Sequence, residues 1–214
     1  MKKQIILVAV FFFSLSAFTQ QNEIPEYKQY EVLTKKINDL CQSSNGKKLK
    51  VEDLNIVLKT SGLNFIFNYN NFSFTHILGE QNSLMVCENI DLADVNAIAI
   101  YEDALDECEL VFLRMDHNLH FTCITKENRE QREMNVLQFY YPSSEPEKGK
   151  DLFRTLSELI YLAKVRKKIL TAEQAQQQLK SWEKVWKTNT AEAYSEYEKN
   201  EPNTIFAAWA GHKK

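Results

Sequence analysis

Between Leu63 and Leu78 the apolar residues fall on alternate positions, and this period of two constrains the fold more than any other feature of the chain. Leu63, Phe65, Phe67 and Tyr69 alternate with Asn64, Ile66 and Asn68. Side chains two apart share one face of a strand, whereas helical faces repeat every three or four residues. Asn70-Asn71 supplies a two-residue turn, because Asn tolerates positive φ. The return strand carries Phe72, Phe74, His76 and Leu78. Pairing Tyr69 with Phe72 sets Phe67 opposite Phe74 and Phe65 opposite His76, so one hairpin face is an aromatic ladder. As structure, the ladder is the core face of a sheet. As function, Phe65, Phe67 and Phe74 would form an exposed apolar platform for a ligand or partner chain.

Further strands are predicted over about 84–90, 95–101, 109–115, 119–125 and 134–141. Asp116-His117-Asn118 closes a tight hairpin between Val111-Leu113-Met115 and Leu119-Phe121-Cys123. On either side of this region the period changes. Tyr30, Leu33, Ile37 and Leu40 form a helical stripe over about 26–42. Leu54, Val57 and Leu58 fit a short helix that Gly62 terminates. After the turn-rich link from Pro142 to Lys150, the residues Leu152, Phe153, Leu156, Leu159, Ile160 and Ala163 mark an amphipathic helix. Lys164, Arg166, Lys167 and Lys168 suit its carbonyl end. Thr171 and Gln174 make a capping box for another helix, and Thr190 caps one more before Pro202.

The chain is therefore α+β. An N-terminal helical segment covers 20–62, an antiparallel sheet of about seven strands plus a helix covers 63–168, and a helical extension covers 169–214. Seven short strands followed by one helix resemble the pleckstrin-homology-like (PH-like) fold over residues 63–168, in element order and spacing. That resemblance implies a sheet closed at one corner by the helix presenting Leu152, Leu156 and Leu159. It also implies binding of lipids, peptides or proteins rather than catalysis.

At the N-terminus, Lys2 and Lys3 precede the apolar run Ile5 to Phe13, and Ser14, Ser16, Ala17 and Thr19 follow. These are the three regions of an export signal over residues 1–19, with Gln20 as the mature terminus. The run is too short to cross a hydrocarbon core of ~30 Å as a helix, and no later segment reaches the ~20 apolar residues of a span. The mature chain is expected to be soluble and either periplasmic or secreted. The full sequence has 26 Lys+Arg against 29 Asp+Glu, which removes the basic footprint of a nucleic-acid binder.

Export alters the meaning of Cys41, Cys87, Cys108 and Cys123, an even number in an oxidising compartment. With Met115 opposite Leu119, Cys108 and Cys123 are out of register, so any disulfide is expected to involve Cys87. Four buried thiols are the alternative.

Five glycines leave no phosphate-binding loop and no nucleophile elbow, and no H-E-x-x-H is present. The sequence nominates no catalytic residue and no cofactor. The best metal candidates are His117 and His120 with Asp116 across the tight turn. They number one donor fewer than a structural zinc site, and a polar turn beside a surface histidine is the plainer account. The acidic run Glu102, Asp103, Asp106, Glu107 and Glu109 lacks the central Gly of a calcium loop and reads as solvated.

In the tail, Trp182 and Trp186 share a helical face, and Phe206 and Trp209 follow Pro202. They either dock on the domain or anchor a partner. The expected function is a non-enzymatic binding protein of the bacterial envelope, engaging a protein or a small apolar ligand. Its site is a groove between the sheet and the 151–168 helix, or the Trp-bearing tail. A hydrolase near Asp116, His117 and His120 is the rival. Intact-mass spectrometry of protein from its native envelope fraction should show cleavage before Gln20, and a mass retaining Met1 would overturn the export reading.

Overall fold

The computed structural model describes residues 26–51, 56–68, 71–78, 83–105 and 107–213. Residues 1–19, expected to be an export signal, lie outside the described residues, as do Tyr69, Asn70 and Asp106. In chain order the elements are α1 Glu26–Gln42, β1 Lys48–Val51, β2 Ile56–Asn68, β3 Asn71–Leu78, β4 Ser83–Ile90, β5 Val95–Leu105, β6 Cys108–Ile124 and β7 Arg129–Pro142. The helices α2 Pro146–Arg166, α3 Ala172–Thr188, α4 Ala191–Asn200 and α5 Ala207–His212 follow.

Every strand pairing is antiparallel, and the sheet curls. β6 organises it. One edge of β6 carries β5 along its first half and β4 along its last residues, while β7 pairs with the other edge nearly throughout. β1 returns to the β5–β6 connection, where Glu107 N–H donates to Lys48 O at 3.2 Å and Lys48 N–H donates to Glu107 Oε2 at 2.8 Å.

Three expectations are corrected. The two strands expected over 109–115 and 119–125 are one 17-residue strand, β6, rather than a hairpin, which leaves six strands from Ile56 to Pro142. Between Arg114–Val136 and Leu119–Met134, β6 advances five positions while β7 advances two. Asp116, His117 and Asn118 thus sit in a bulge, not a turn. The alternation of Val111, Leu113 and Met115 with Leu119, Phe121 and Cys123 fits either geometry. The partner β7, running past the bulge, decides it.

Residues 56–60 form a strand, not a helix, consistent with the β-branched Ile56, Val57 and Thr60. Gly62, at φ +59, occupies a bulge between Ser61 and Asn64 rather than a helix end. The first hairpin also pairs two positions away from the expected register, with Phe65 opposite Phe74 and Phe67 opposite Phe72. An even slip keeps each side chain on its face, so the ladder survives it. Phe65 and Phe72 stack at 5.1 Å and 10°.

α1 and α2 fill the inside of the curl. Tyr30, Leu33, Ile37 and Cys41 of α1 and Leu152, Leu156 and Leu159 of α2 join the ladder and Phe121, Leu137 and Phe139 in one core. Tyr30 stacks on Phe67 at 4.4 Å. The two polar residues at buried positions of α2 cause no conflict, because Thr155 donates to Asp151 O and Ser157 to Phe153 O, both at 2.7 Å. The capping box of Thr171 and Gln174 and the Thr190 cap open α3 and α4. Beyond Pro202 the tail returns to the sheet, where Ile98 N–H donates to Ile205 O at 2.9 Å and the outer edge of β5 is covered.

Gly149, in the first turns of α2, meets the buried ring of Tyr141. A Cβ there would lie 2.3 Å from Tyr141 Cζ. The ring is held, since its hydroxyl donates to Glu109 Oε2 at 2.5 Å. Gly149→Ala gains up to ~1 kcal/mol of helix propensity, but overpacking costs ~1–3 kcal/mol. A net loss in urea denaturation is expected, and an unchanged or higher midpoint would show that the ring swings aside.

Candidate functional site

Two concave regions flank α2. The larger has a volume of about 530 Å³ and lies between α2, α3 and the start of α5. Its geometry follows from local sequence. Trp182 and Trp186, four apart, share one face of α3. Asn189 then ends α3 in a left-handed conformation and accepts from the Tyr194 hydroxyl at 2.9 Å, fixing the turn into α4. Past Pro202, Phe206 and Trp209 fold back over Phe153 of α2.

Trp182 stacks on Phe206 at 4.8 Å and 9°. Trp186 meets Phe153 edge-on at 4.8 Å and Trp209 edge-on at 5.4 Å. Phe153 also lies 4.9 Å from Trp209. Docking and exposure are therefore combined: Trp182, Phe206 and Trp209 are buried, while Trp186 is half-buried at the mouth. Trp182 Nε1–H is buried and has no acceptor among the described residues. Lys150, Arg154, Lys187, Lys213 and Glu183 supply the charged groups of the lining, and Ser157, Asn189 and Tyr194 its neutral polar ones.

The ladder residues sit elsewhere. Phe65 and Phe74 are buried in the sheet core, and Phe67 stacks on Tyr30 with the Arg166 guanidinium beside both rings. α1 covers them, so they do not form an exposed platform.

The second region is a cavity of about 200 Å³ lined by Asp94, Asp116, Tyr161, Lys164 and Asn203, among others. At its side, Asp94, Asp116 and His117 bring one donor atom each to within 4.8 Å of one another. His117 Nδ1 is 2.6 Å from Asp116 Oδ1 and 3.8 Å from Asp94 Oδ2. Burial, and then the carboxylates of Asp91 and Asp116, hold the Asp94 carboxyl above the usual range. Lys164 donates to Ala93 O at 2.7 Å, and burial lowers its ammonium pKa.

Two of the three sequence candidates thus meet, and the third does not. His120 is outside the cluster, with Nδ1 3.4 Å from Glu133. Asp94 takes its place because the register of Val95 with Met115 brings the end of the 3₁₀ turn Leu92–Asp94 beside the β6 bulge. Only that pairing could have revealed it. One imidazole and two carboxylates offer the donor number of a catalytic metal site and one fewer than a structural zinc site.

All four cysteines are free and buried. Cys87 lies opposite Phe74 and Phe121, and Cys108 and Cys123 share strand β6, so the ladder opposes no two of them. The expected bridge through Cys87 is absent for that reason. Burial, with a contribution from Glu88, pushes the Cys87 thiol up to about 11, away from reactivity.

Comparison with protein-family models, curated proteins and solved structures finds no match to this chain.

His76, on the ladder face, is buried with its ring 5.1 Å from Tyr140 and 6.1 Å from Phe74. Burial lowers its pKa from 6.5 to about 4. The unfolded imidazole takes up a proton near 6.5 and the native one only near 4, so stability is full above that window and falls as pH falls through it. A loss of up to about 3 kcal/mol is expected between pH 7 and pH 4, followed by urea denaturation. His76→Leu should flatten that slope, and an unchanged slope would show a solvated imidazole.

Proposed function

We propose that this chain is a non-enzymatic binding protein whose aromatic groove takes a small apolar ligand. The observation that carries the reading is the convergence of all three tryptophans of the chain on one cavity of about 530 Å³. That size falls within the range of small-molecule sites, which are mostly apolar with a few placed polar groups. Tryptophan and phenylalanine give such a site large contact area at low conformational cost. A protein partner would favour a flatter surface, so the small ligand is the better fit.

Lys2, Lys3 and the Ile5–Phe13 run support export, which would put this binding in the bacterial periplasm or outside the cell. A PH-like relationship draws support from the antiparallel curled sheet followed by a long helix, with six strands over the segment where that fold has seven.

Because every tryptophan lines the groove, intrinsic fluorescence reads occupancy directly. Titration with the neutral probe phenylpropanol should shift the emission and raise the unfolding temperature, by ~2.7 kcal/mol of stabilisation at a hundredfold excess over Kd. Trp186→Ala, at the half-buried mouth, should weaken binding about thirtyfold, or ~2 kcal/mol. If neither emission nor unfolding temperature responds to the probe, the groove is packing alone and the reading fails.

A further inference from the structure

We infer that the ligand of this groove is a small apolar carboxylic acid, bound as its carboxylate, an inference that rests on the groove being a binding site. The first support is the buried indole N–H of Trp182, which has no acceptor among the described residues. Buried polar groups in folded proteins are nearly always hydrogen-bonded, and an indole nitrogen can only donate. The rings around it are those of Phe153, Trp186, Tyr194, Tyr197, Phe206 and Trp209, and the two tyrosine hydroxyls are engaged with Asn189 and Thr204 instead. The N–H is closed off from the groove until these rings part, and a ligand that reaches it must bring an acceptor, which a plain hydrocarbon or a purely cationic amphiphile lacks.

The second support is charge. Lys150, Arg154, Lys187 and Lys213 line the groove against the single carboxylate of Glu183. Three of these cations pair on the surface, Lys150 with Glu147 at 2.6 Å, Arg154 with Asp151 at 3.4 Å and Lys187 with Glu183 at 2.7 Å. Exposed pairs at i,i+3 and i,i+4 are weak and rearrange readily toward a new anion. Lys213 lies 5.5 Å over the Trp209 ring, at the wall itself. A concave, partly apolar site focuses such a field, so a charged acceptor is preferred over a neutral one. Charge-assisted bonds to N–H donors are also roughly twice as strong as neutral ones.

The test uses the full chain and three probes sharing one aromatic body: phenylbutyrate, phenylbutyramide and phenylbutylamine, followed by tryptophan emission. The acid should bind about tenfold tighter than the amide and the amine weakest, with the preference for the acid shrinking as salt rises. Trp182→Phe, which removes the donor together with the five-membered ring of the indole, should lower affinity for the acid about tenfold and for the amide less. Lys150→Gln with Lys187→Gln, both on the surface, should weaken the acid and spare the amide, and this pair decides the matter where Trp182→Phe fails to fold. Amide binding equal to or tighter than the acid, or an equal effect of the lysine changes on both, overturns the carboxylate and leaves the groove reading intact. If no probe shifts the emission, the groove reading falls and the carboxylate with it.

Discussion

The antiparallel ladder of β6 is the constraint on which the rest of the molecule depends. A strand of 17 residues holds β4 and β5 end to end on one edge and β7 along the other. A sheet built on one such strand twists and coils, and its concave face then needs more apolar cover than a single helix gives. α1 and α2 together provide it. The bulge at Asp116–Asn118 is the cost of that length, because it re-registers β6 against β7 and turns three polar side chains outward. The same irregularity lies next to the break between β4 and β5, where the 3₁₀ turn Leu92–Asp94 interrupts the edge. Two interruptions side by side bring Asp94, Asp116 and His117 together.

α2 transmits the order of the sheet to the tail. One face meets the ladder through Leu152, Leu156 and Leu159, and the other meets the C-terminal segment through Phe153, Tyr161 and Ser157. A helix buried on both faces leaves little room for polar residues, and its Thr155 and Ser157 hydroxyls turn back to carbonyls of the same helix. The tail helices are short and would be marginal alone. Their aromatic side chains stabilise them by packing on Phe153, and the hydrogen bond from Ile98 to Ile205 anchors the chain between α4 and α5. Packing four large rings around one phenylalanine leaves a concavity, because rigid planar side chains meeting edge to face cannot close every gap. The groove is a consequence of how the tail is held.

What the sequence by itself determined was local. Alternation at Leu63–Leu78 specified a strand face, and the even period meant that a register error of two left Phe65, Phe67, Phe72 and Phe74 on the same side. The stripes of α1 and α2, the capping box at Thr171 and the cap at Thr190 follow from spacing and short-range hydrogen bonds. The tryptophan pair of α3 was legible as one face for the same reason. Tertiary structure decided whatever depended on a distant partner. A polar tripeptide such as Asp116-His117-Asn118 serves a turn or a bulge equally well until β7 runs past it. Residues 56–60 suit a helix or a strand until β1 and β3 pair with them. Asp94 joins His117 only through the β5–β6 register, Cys87 faces phenylalanines rather than a cysteine for the same kind of reason, and the indole of Trp182 is buried only when the rings of the tail and of Phe153 gather around it. Local propensities act within a few residues, whereas pairing and burial couple segments far apart in the chain, and those long-range couplings shape the groove.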